Sequence, residues 1–460
     1  MGTAPCGVNR MLTGWGRTGG SWATVAGPLN TERLQELVAG QPHGGVLARG
    51  AGRSYGDAAQ NAGGYVLAPV TGPGIEPAAG GSAVRVSAST SFTELLVATV
   101  PHGLIVPVLP GTRHLTVGGA IAADVHGKNQ RTDGSFCSWV DQVELIDGHG
   151  ELRMLTPDGT PEEFRATAGG MGLTGIIVAA TIRLLPLPST RLQVTSTREP
   201  GLDEVLAAMN DSRSKYAVAW IDTTATGRSL GRGIVETAGH LDPAGPPSAA
   251  GSTAGNAADD AAGRLDYWPG RAHRAPRLPF CPVSPLAARR FNGLWYARAA
   301  GRSTATTSLP DFFHRLDALA DWNRLLGPRG FVQYQFAVPA AHDRVIAEVL
   351  EAVRRARCAP FLGTLKRFGP GGAGHLSFPQ PGWSLAVDMP ARPRLRPLLA
   401  GLDERVAAAG GRVYLAKDAR LSGSALAAMY DKLPEWQAIR AKLDPDGVFR
   451  SDLGRRVGLC

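Results

Sequence analysis

Lysine is scarce in this chain: only six of its 48 basic residues are lysine, and the remainder are arginines strewn singly along the sequence. The formal charge is +9, yet no Lys/Arg-rich run and no RNA-binding aromatic signature accompanies it, so nucleic acid is not expected as a partner. A basic surface does suit an anionic membrane or a phosphorylated substrate. Cysteine is equally thin. Cys6, Cys137, Cys281, Cys358 and Cys460 are odd in number, widely spaced and without a C-x-x-C pair. That pattern argues against a disulfide framework and a cysteine zinc site, no metal is expected, and a reducing cytoplasm fits best. No apolar run reaches the roughly 18 residues that a membrane-spanning helix needs. The N-terminus has no basic stretch followed by an apolar one, so no secretory signal is read. A Walker-type G-K-[ST] is missing, and Gly50-Ala51-Gly52 lacks the third glycine of a Rossmann fingerprint.

What the sequence does have is glycine, 59 residues of it, and two stretches use it in a telling way. The central one runs from Pro110 to Asn129: Gly111 and the pair Gly118-Gly119 flank Thr112 and Thr116, and Asp124, His126, Gly127, Lys128 and Asn129 follow. The other is Ala48-Arg-Gly-Ala-Gly-Arg-Ser-Tyr-Gly-Asp57. Glycine admits positive φ and close backbone approach, so such loops can turn amides toward phosphate oxygens. A segment starting at Gly119-Ala120 would add a helix N-terminus to that anion site. Two such loops about 60 residues apart suggest one extended cofactor gripped from two sides.

The stretches between them set the fold class. Asn30 or Thr31 caps a short helix with Leu34, Leu37 and Val38 on one face. Val46–Ala48 and Ala83–Ser87 read as strands, and Ser91 with Glu94 forms a capping box ahead of Leu95-Leu96-Val97. Leu104–Val106 reads as a strand leading into the central stretch. Asp147-Gly-His-Gly150 joins two strands as a hairpin, and Gly175–Leu185 is a buried strand. Strands and helices alternate irregularly, so the chain is α+β rather than doubly wound. At 460 residues two domains are expected. The Pro-rich Leu185-Pro-Leu-Pro188 marks a boundary near residue 189. A second region spans 190–412, with strands at Tyr216–Ile221 and Phe331–Val338. Within it, 240–264 is rich in Ala, Gly, Pro, Ser and Asp and is expected to be a mobile loop.

The loop Arg49-Gly-Ala-Gly-Arg-Ser54 resembles the pyrophosphate loop of vanillyl-alcohol-oxidase-type flavoproteins. Covalent members of that superfamily commonly place a flavin-bound histidine after the second loop glycine; Arg53 stands there, which implies FAD held non-covalently. The likeness narrows along Leu12–Thr18, Ala48–Asp57, Val106–Arg113, Thr116–Ala122, Asp124–Asn129, Gly172–Ile177, Gln333–Phe336 and Ala416–Asp418. Together these resemble the flavin subunit of decaprenylphosphoryl-β-D-ribose 2′-epimerase, from near residue 12 to near 453, with 190–310 the poorest part. The resemblance implies a two-domain α+β flavoprotein: FAD bound by 1–189, a substrate domain with an antiparallel sheet at 190–412, and a return to the first domain at 413–460. It implies oxidation of the 2′-hydroxyl of a lipid-linked ribose phosphate to a ketone. A separate short-chain reductase would complete epimerisation to arabinose, as in actinobacterial cell-wall arabinan synthesis. Peripheral contact with a membrane is compatible with such a substrate.

Residues toward the flavin are then expected to be Arg49, Gly50, Ala51, Gly52, Arg53, Ser54, Tyr55, Gly111, Thr112, Thr116, Gly118, Gly119, Ala120, Ala123, Asp124, Gly127, Asn129, Gly175, Ile177 and Tyr414. Oxidising a secondary alcohol needs a hydride acceptor and a group that handles the hydroxyl proton. Lys417, in so lysine-poor a chain, is the leading catalytic candidate, and His126 is the second, as a base or an orienting group. Gln333 and Gln335 alternate along a strand and share one face. With Lys366, Trp220, Phe313, Ser384 and Ala386 they are expected on the substrate side. The mycobacterial form of the family carries a cysteine where Ala386 stands, an asparagine where Ser384 stands and a tyrosine where Phe313 stands. These departures leave a second enzyme reading open, an oxidase of another sugar or nucleoside in specialised metabolism. A third reading, from another class, is a non-catalytic basic protein that binds nucleic acid or a membrane surface.

Overall fold

The computed structural model describes residues 7–78, 80–242, 265, 267–270 and 272–460. Most of the expected mobile loop, from 243 to 264, lies outside the described residues.

Three sheets organise the chain. A four-stranded sheet is ordered Val8–Thr13, Gly20–Ala26, Tyr65–Leu67, Val46–Ala48. A five-stranded antiparallel sheet is ordered Ile75–Pro77, Ala83–Ser87, Ile176–Arg183, Val140–Ile146, Leu152–Leu155. The third is eight-stranded and antiparallel: Arg302–Ser308, Arg191–Glu199, Gly233–His240, Tyr216–Ile221, Leu362–Phe368, Gly382–Pro390, Phe331–Val338, Arg412–Val413. The protein is thus α+β, with helices on one face of its large sheet.

Local signals explain the elements. Asn30 caps Thr31–Ala39 by accepting from Arg33 N, and Leu34, Leu37 and Val38 are buried against the small sheet. The capping box of Ser91 and Glu94 opens Phe92–Thr99, in which Phe92, Leu95 and Leu96 are buried. In the large sheet, Gly382–Pro390 alternates strictly. Trp383, Leu385, Val387 and Met389 are fully buried on the side where the helices Arg344–Arg355 and Leu395–Ala408 lie, while Ser384, Ala386 and Asp388 face the other way. The expected strand Leu104–Val106 is only Leu104–Ile105, and it pairs with Leu185–Pro186. The Pro-rich tract is therefore in part a short ladder.

The C-terminal segment packs on the first two sheets. Val46 bridges Phe449, Trp436 Nε1 donates to Ala166 O at 2.9 Å, and Arg440 Nε donates to Leu173 O at 3.0 Å. Arg456 ties three stretches together: its guanidinium lies 2.8 Å from Asp57 and 2.9 Å from Asp418 and donates to Leu421 O. The turn that carries Lys417 is thereby fastened both to the first glycine loop and to the end of the chain.

Candidate active site

A cavity of about 650 Å³ lies between the glycine loops and the face of the large sheet turned away from the helices. One wall is backbone. The loop from Arg49 to Tyr55 follows the strand Val46–Ala48, and Arg49 donates to Ala59 O and Thr13 O, which pins the loop rather than leaving a free guanidinium. Gly52 has φ +63°, and a Cβ there would run into the Arg49 guanidinium; a Cβ on Gly50 would run into Thr116 Oγ1. The amides of Gly50, Ala51, Gly52, Arg53 and Ser54 meet no protein acceptor among the described residues, so the loop can receive an anion. Arg53 places its guanidinium 4.1 Å from the centre of the Trp15 ring.

The second loop is held by Asp317, which accepts from Thr112 Oγ1 at 2.9 Å and from Arg113 N at 2.8 Å. Gly111 lines the cavity, and a Cβ there would meet nothing within 4 Å. The helix after this loop starts earlier than expected, at Val117, with Thr116 as its cap. Its first amides are already satisfied: Val117 by Thr90 O, Gly118 by Ala88 O and Gly119 by Thr116 Oγ1. The expected anion site at a helix N-terminus is therefore corrected, and the open amides belong to the first loop.

The other wall is a grid of side chains. Because opposed residues in an antiparallel ladder share a face, three registers fix it. Gln333 stands opposite Asp388 and Asp388 opposite Leu362; Gln335 opposite Ala386 and Ala386 opposite Thr364; Ser384 opposite Lys366. All eight line the cavity. Gln333 Nε2 donates to Asp388 Oδ1 at 2.8 Å. Gln335 Nε2 lies 3.1 Å from His126 Nε2, so the amide donor leaves the imidazole proton on Nδ1. His126 is ringed by Phe368, Phe378 and Tyr414 at centroid distances of 4.9–5.5 Å.

Between the walls sits the turn Tyr414–Asp418. Tyr414 N donates to Gln335 O, and Ala416 O accepts from Tyr55 N, both at 2.9 Å. Lys417 Nζ stands 3.7 Å above the centre of the Tyr55 ring. Burial pushes Lys417 down to about 7, opposed by the Asp388 carboxylate and assisted by Lys366. Burial also lowers Lys366 to about 8 and raises Asp388 to about 7, the latter opposed by the Gln333 hydrogen bond and by Lys417. His126 is held well below its ordinary range by burial and then by the two lysines, so it is neutral near pH 7.

The cavity brings together most of the residues named from sequence: Arg49 to Tyr55, Gly111, Thr112, Thr116, Gly118, Gly119, Ala123, His126, Gly175, Ile177, Gln333, Gln335, Lys366, Ser384, Ala386, Tyr414 and Lys417. Six others stand off it. Ala120 is wholly buried in the hydrophobic core. Asp124, at φ +37°, gathers Ser135, Cys137, Ala373 and Ser377 into a buried knot and is structural in its contacts. A Cβ on Gly127 would strike Asn129 Oδ1 and Leu109 O, and Asn129 itself donates to Pro107 O. Trp220 pairs with Thr364, which puts it on the cavity face but one strand beyond the lining. Phe313 is buried against Tyr216, their ring centres 4.9 Å apart.

Sequence reasoning passed over Asp388, although its place at every second position after Ser384 and Ala386 was the signal for it. It also passed over Asp317, whose partner Thr112 lies 205 residues away, a separation that no local pattern bridges. Trp15 and Trp322 complete the lining without having been singled out.

An FAD is compatible with these residues on structural grounds. The first loop has free amides, Gly111 and Gly172 leave open space where side chains would stand, and the buried Nδ1 of His126 has no protein partner.

Comparison with known proteins agrees. A family model for an FAD binding domain matches residues 22–156, and one for D-arabinono-1,4-lactone oxidase matches 391–457. The chain is 39% identical to decaprenylphosphoryl-beta-D-ribose oxidase of Mycolicibacterium smegmatis, an alignment covering 98% of each. It is 40% identical to a Streptomyces coelicolor protein from the mprA 5′ region, over 78% of this chain and 97% of that one. With cytokinin dehydrogenase 4 of Oryza sativa it shares 35% identity over 31% of this chain and 28% of the other.

Proposed function

The chain belongs to the decaprenylphosphoryl-β-D-ribose oxidase family, and from that premise we propose that it oxidises the 2′-hydroxyl of a polyprenylphosphoryl-β-D-ribose to the 2′-keto sugar. It is an FAD-dependent oxidoreductase. When bound, FAD supplies the acceptor for the hydride on the carbinol carbon. The free amides of Gly50 to Ser54 receive its pyrophosphate, and Gly111 and Gly172 let it lie against backbone.

The observation that carries the chemistry is the place of Lys417: a half-buried amine lining the cavity on a turn clamped between the glycine loop and the sheet, its pKa lowered to about 7 by desolvation. Such a group accepts the proton of the substrate hydroxyl at neutral pH and returns it to solvent afterwards. Gln333, Gln335 and Ser384 offer hydrogen bonds to sugar hydroxyls, and Lys366 offers a cation to the phosphate. His126, neutral and hydrogen-bonded to Gln335, positions that amide. Trp220 and Phe313 do not line the cavity and are given no part in the chemistry.

The flavin is held without a covalent bond, because Arg53 occupies the usual attachment position and stacks on Trp15. Acid precipitation is expected to release all yellow colour to the supernatant; colour kept in the pellet would direct attention to His126. The keto product calls for a reductase of the short-chain class. The described cysteines are free, which favours a reducing compartment, and no described helix is long and apolar enough to cross a membrane.

The test is anaerobic mixing of the holoprotein with polyprenylphosphoryl ribose, with bleaching of the flavin absorbance as the expected result. A second reading, oxidation of another sugar or nucleoside, draws on the small side chains Ser384 and Ala386 in the sheet wall. Bleaching by free pentoses or nucleosides, without bleaching by the lipid-linked sugar, would replace the first reading with the second.

A further inference from the structure

We infer that the helix Pro285–Arg298, with the segment that leads into it, is the surface by which this protein docks on an anionic lipid bilayer. The helix buries only Ala288 and Asn292. Its inner face is fixed: Asn292 lies within hydrogen-bonding distance of Thr223, Tyr296 Oη donates to Glu199 O at 3.2 Å, and Arg232 covers the Tyr296 ring at 4.3 Å. The outer face is apolar where solvent would normally select charge. Phe291 is 56% exposed, Leu294 53%, and Trp295, stacked on Phe291, 46%. Leu286 and, just upstream, Phe280 and Trp268 are also exposed. An apolar surface of this kind on a folded chain marks an interaction site.

Charge selects the occupant. Between Asp266 and Asp311 the sequence contains no acidic residue but seven arginines. Arg289, Arg290 and Arg298 of the helix are exposed, as is Arg277 in the segment that leads into it. Aromatic rings and leucine set among arginines, with no carboxylate, is the composition of a helix lying in the interface of an anionic membrane. Nucleic acid would match the arginines but not the exposed Leu286, Phe291 and Leu294.

The surface is continuous with the cavity rim. A Cβ on Gly327 would meet the backbone of Phe280, and Gly327 ends the turn Trp322–Leu326, whose Trp322 lines the cavity. The short strand His273–Arg274 pairs with Leu319–Ala320, which begins two residues after Asp317 of the lining. Docking by this helix therefore holds the cavity beside the bilayer. The choice of a membrane over a protein partner rests on the lipid-linked substrate proposed above; the aromatic face and the arginines do not.

The experiment is sedimentation of the holoprotein with sugar-free vesicles of phosphatidylglycerol or of phosphatidylcholine, together with light scattering of the protein alone. Wild type is expected to partition at least about tenfold more strongly to phosphatidylglycerol, with a blue shift of tryptophan emission. The pairs Phe291→Ser/Trp295→Ser and Arg289→Glu/Arg290→Glu are each expected to lose about tenfold or more of that binding. Both should keep their flavin absorbance, which reports that they are folded. Equal partition of wild type and variants, no partition at all, or a stable dimer that the Phe291/Trp295 pair dissociates would overturn the inference. Since the vesicles hold no substrate, vesicle binding without any bleaching by polyprenylphosphoryl ribose would sink the substrate reading and leave the docking surface standing.

Discussion

The two walls of the cavity are built on opposite principles. The loop wall works through backbone: Gly50, Gly52 and Gly111 stand where a Cβ would collide with the protein or occupy the cavity, and the amides of residues 50–54 are left open. The sheet wall works through side chains: Gln333, Gln335, Lys366 and Asp388 reach the cavity from three adjacent strands. The first wall is suited to hold one invariant group, because amides and open space suit a phosphate and little else. The second is a set of independent positions, each replaceable without disturbing the backbone ladder. Cofactor and substrate are thus separated physically, and the departures Ser384 and Ala386 fall on the replaceable side. Lys417 belongs to neither wall; its turn bonds to both.

The hardest test of that placement is Lys417→Met. The variant is expected to keep FAD, since the loop amides are untouched, and to slow flavin reduction by at least about a hundredfold, the scale of a positioned proton acceptor. Single-turnover reduction by substrate measures it directly, and a near-normal rate would remove Lys417 from the chemistry.

The loop wall is sharpened by Gly111→Ala. A methyl there touches no protein atom within 4 Å, so the fold and melting temperature of the apoprotein should be unchanged. FAD affinity should fall by about tenfold or more if cofactor occupies that space. Unchanged affinity, read by fluorescence titration of the apoprotein, would move the cofactor off this loop.

Much of this was legible beforehand, and unevenly. The capping signals at Asn30 and Ser91, the hairpin at 147–150 and the strands Tyr216–Ile221 and Phe331–Val338 appear where local pattern put them. Short-range signals survive folding because the groups that satisfy them are neighbours in sequence. The glycine loops carried less information about role. Asp124 and Asn129 lie in the same motif as His126, yet they knit the loop to Ser135, Ser377 and Pro107, contacts 11 to 253 residues away along the chain that the motif itself does not specify. Asp388 is the reverse case: its alternation with Ser384 and Ala386 was visible, but its pairing with Gln333 needed the register of two strands 55 residues apart.

Asp388 also supplies a pH test that couples the sheet wall to the turn. Lys417 must be neutral to accept a proton, so the rate of flavin reduction should rise about tenfold per pH unit below pH 7 and level off above it. The Asp388 carboxylate raises the Lys417 pKa, so Asp388→Asn should move the midpoint to lower pH while leaving FAD bound. A pH profile with an unmoved midpoint would show that the two groups do not communicate.

The smallest effect is expected at Phe313, and its smallness is informative. The resemblance implies a tyrosine there in the mycobacterial form, which invites the inference that the position selects substrate. Here Phe313 is buried with its ring edge-on to Tyr216 and Phe312, and Lys128 lies 5.9 Å from its centre. It does not line the cavity. A hydroxyl added to so buried a ring must find a partner, and leaving it unpaired costs about 1–3 kcal/mol of stability. Phe313→Tyr should therefore lower the melting temperature while keeping kcat and KM for the sugar substrate within about twofold of wild type. A KM changed tenfold with stability intact would mean that the ring reaches substrate, and that the substrate wall extends beyond the three strands that form it here.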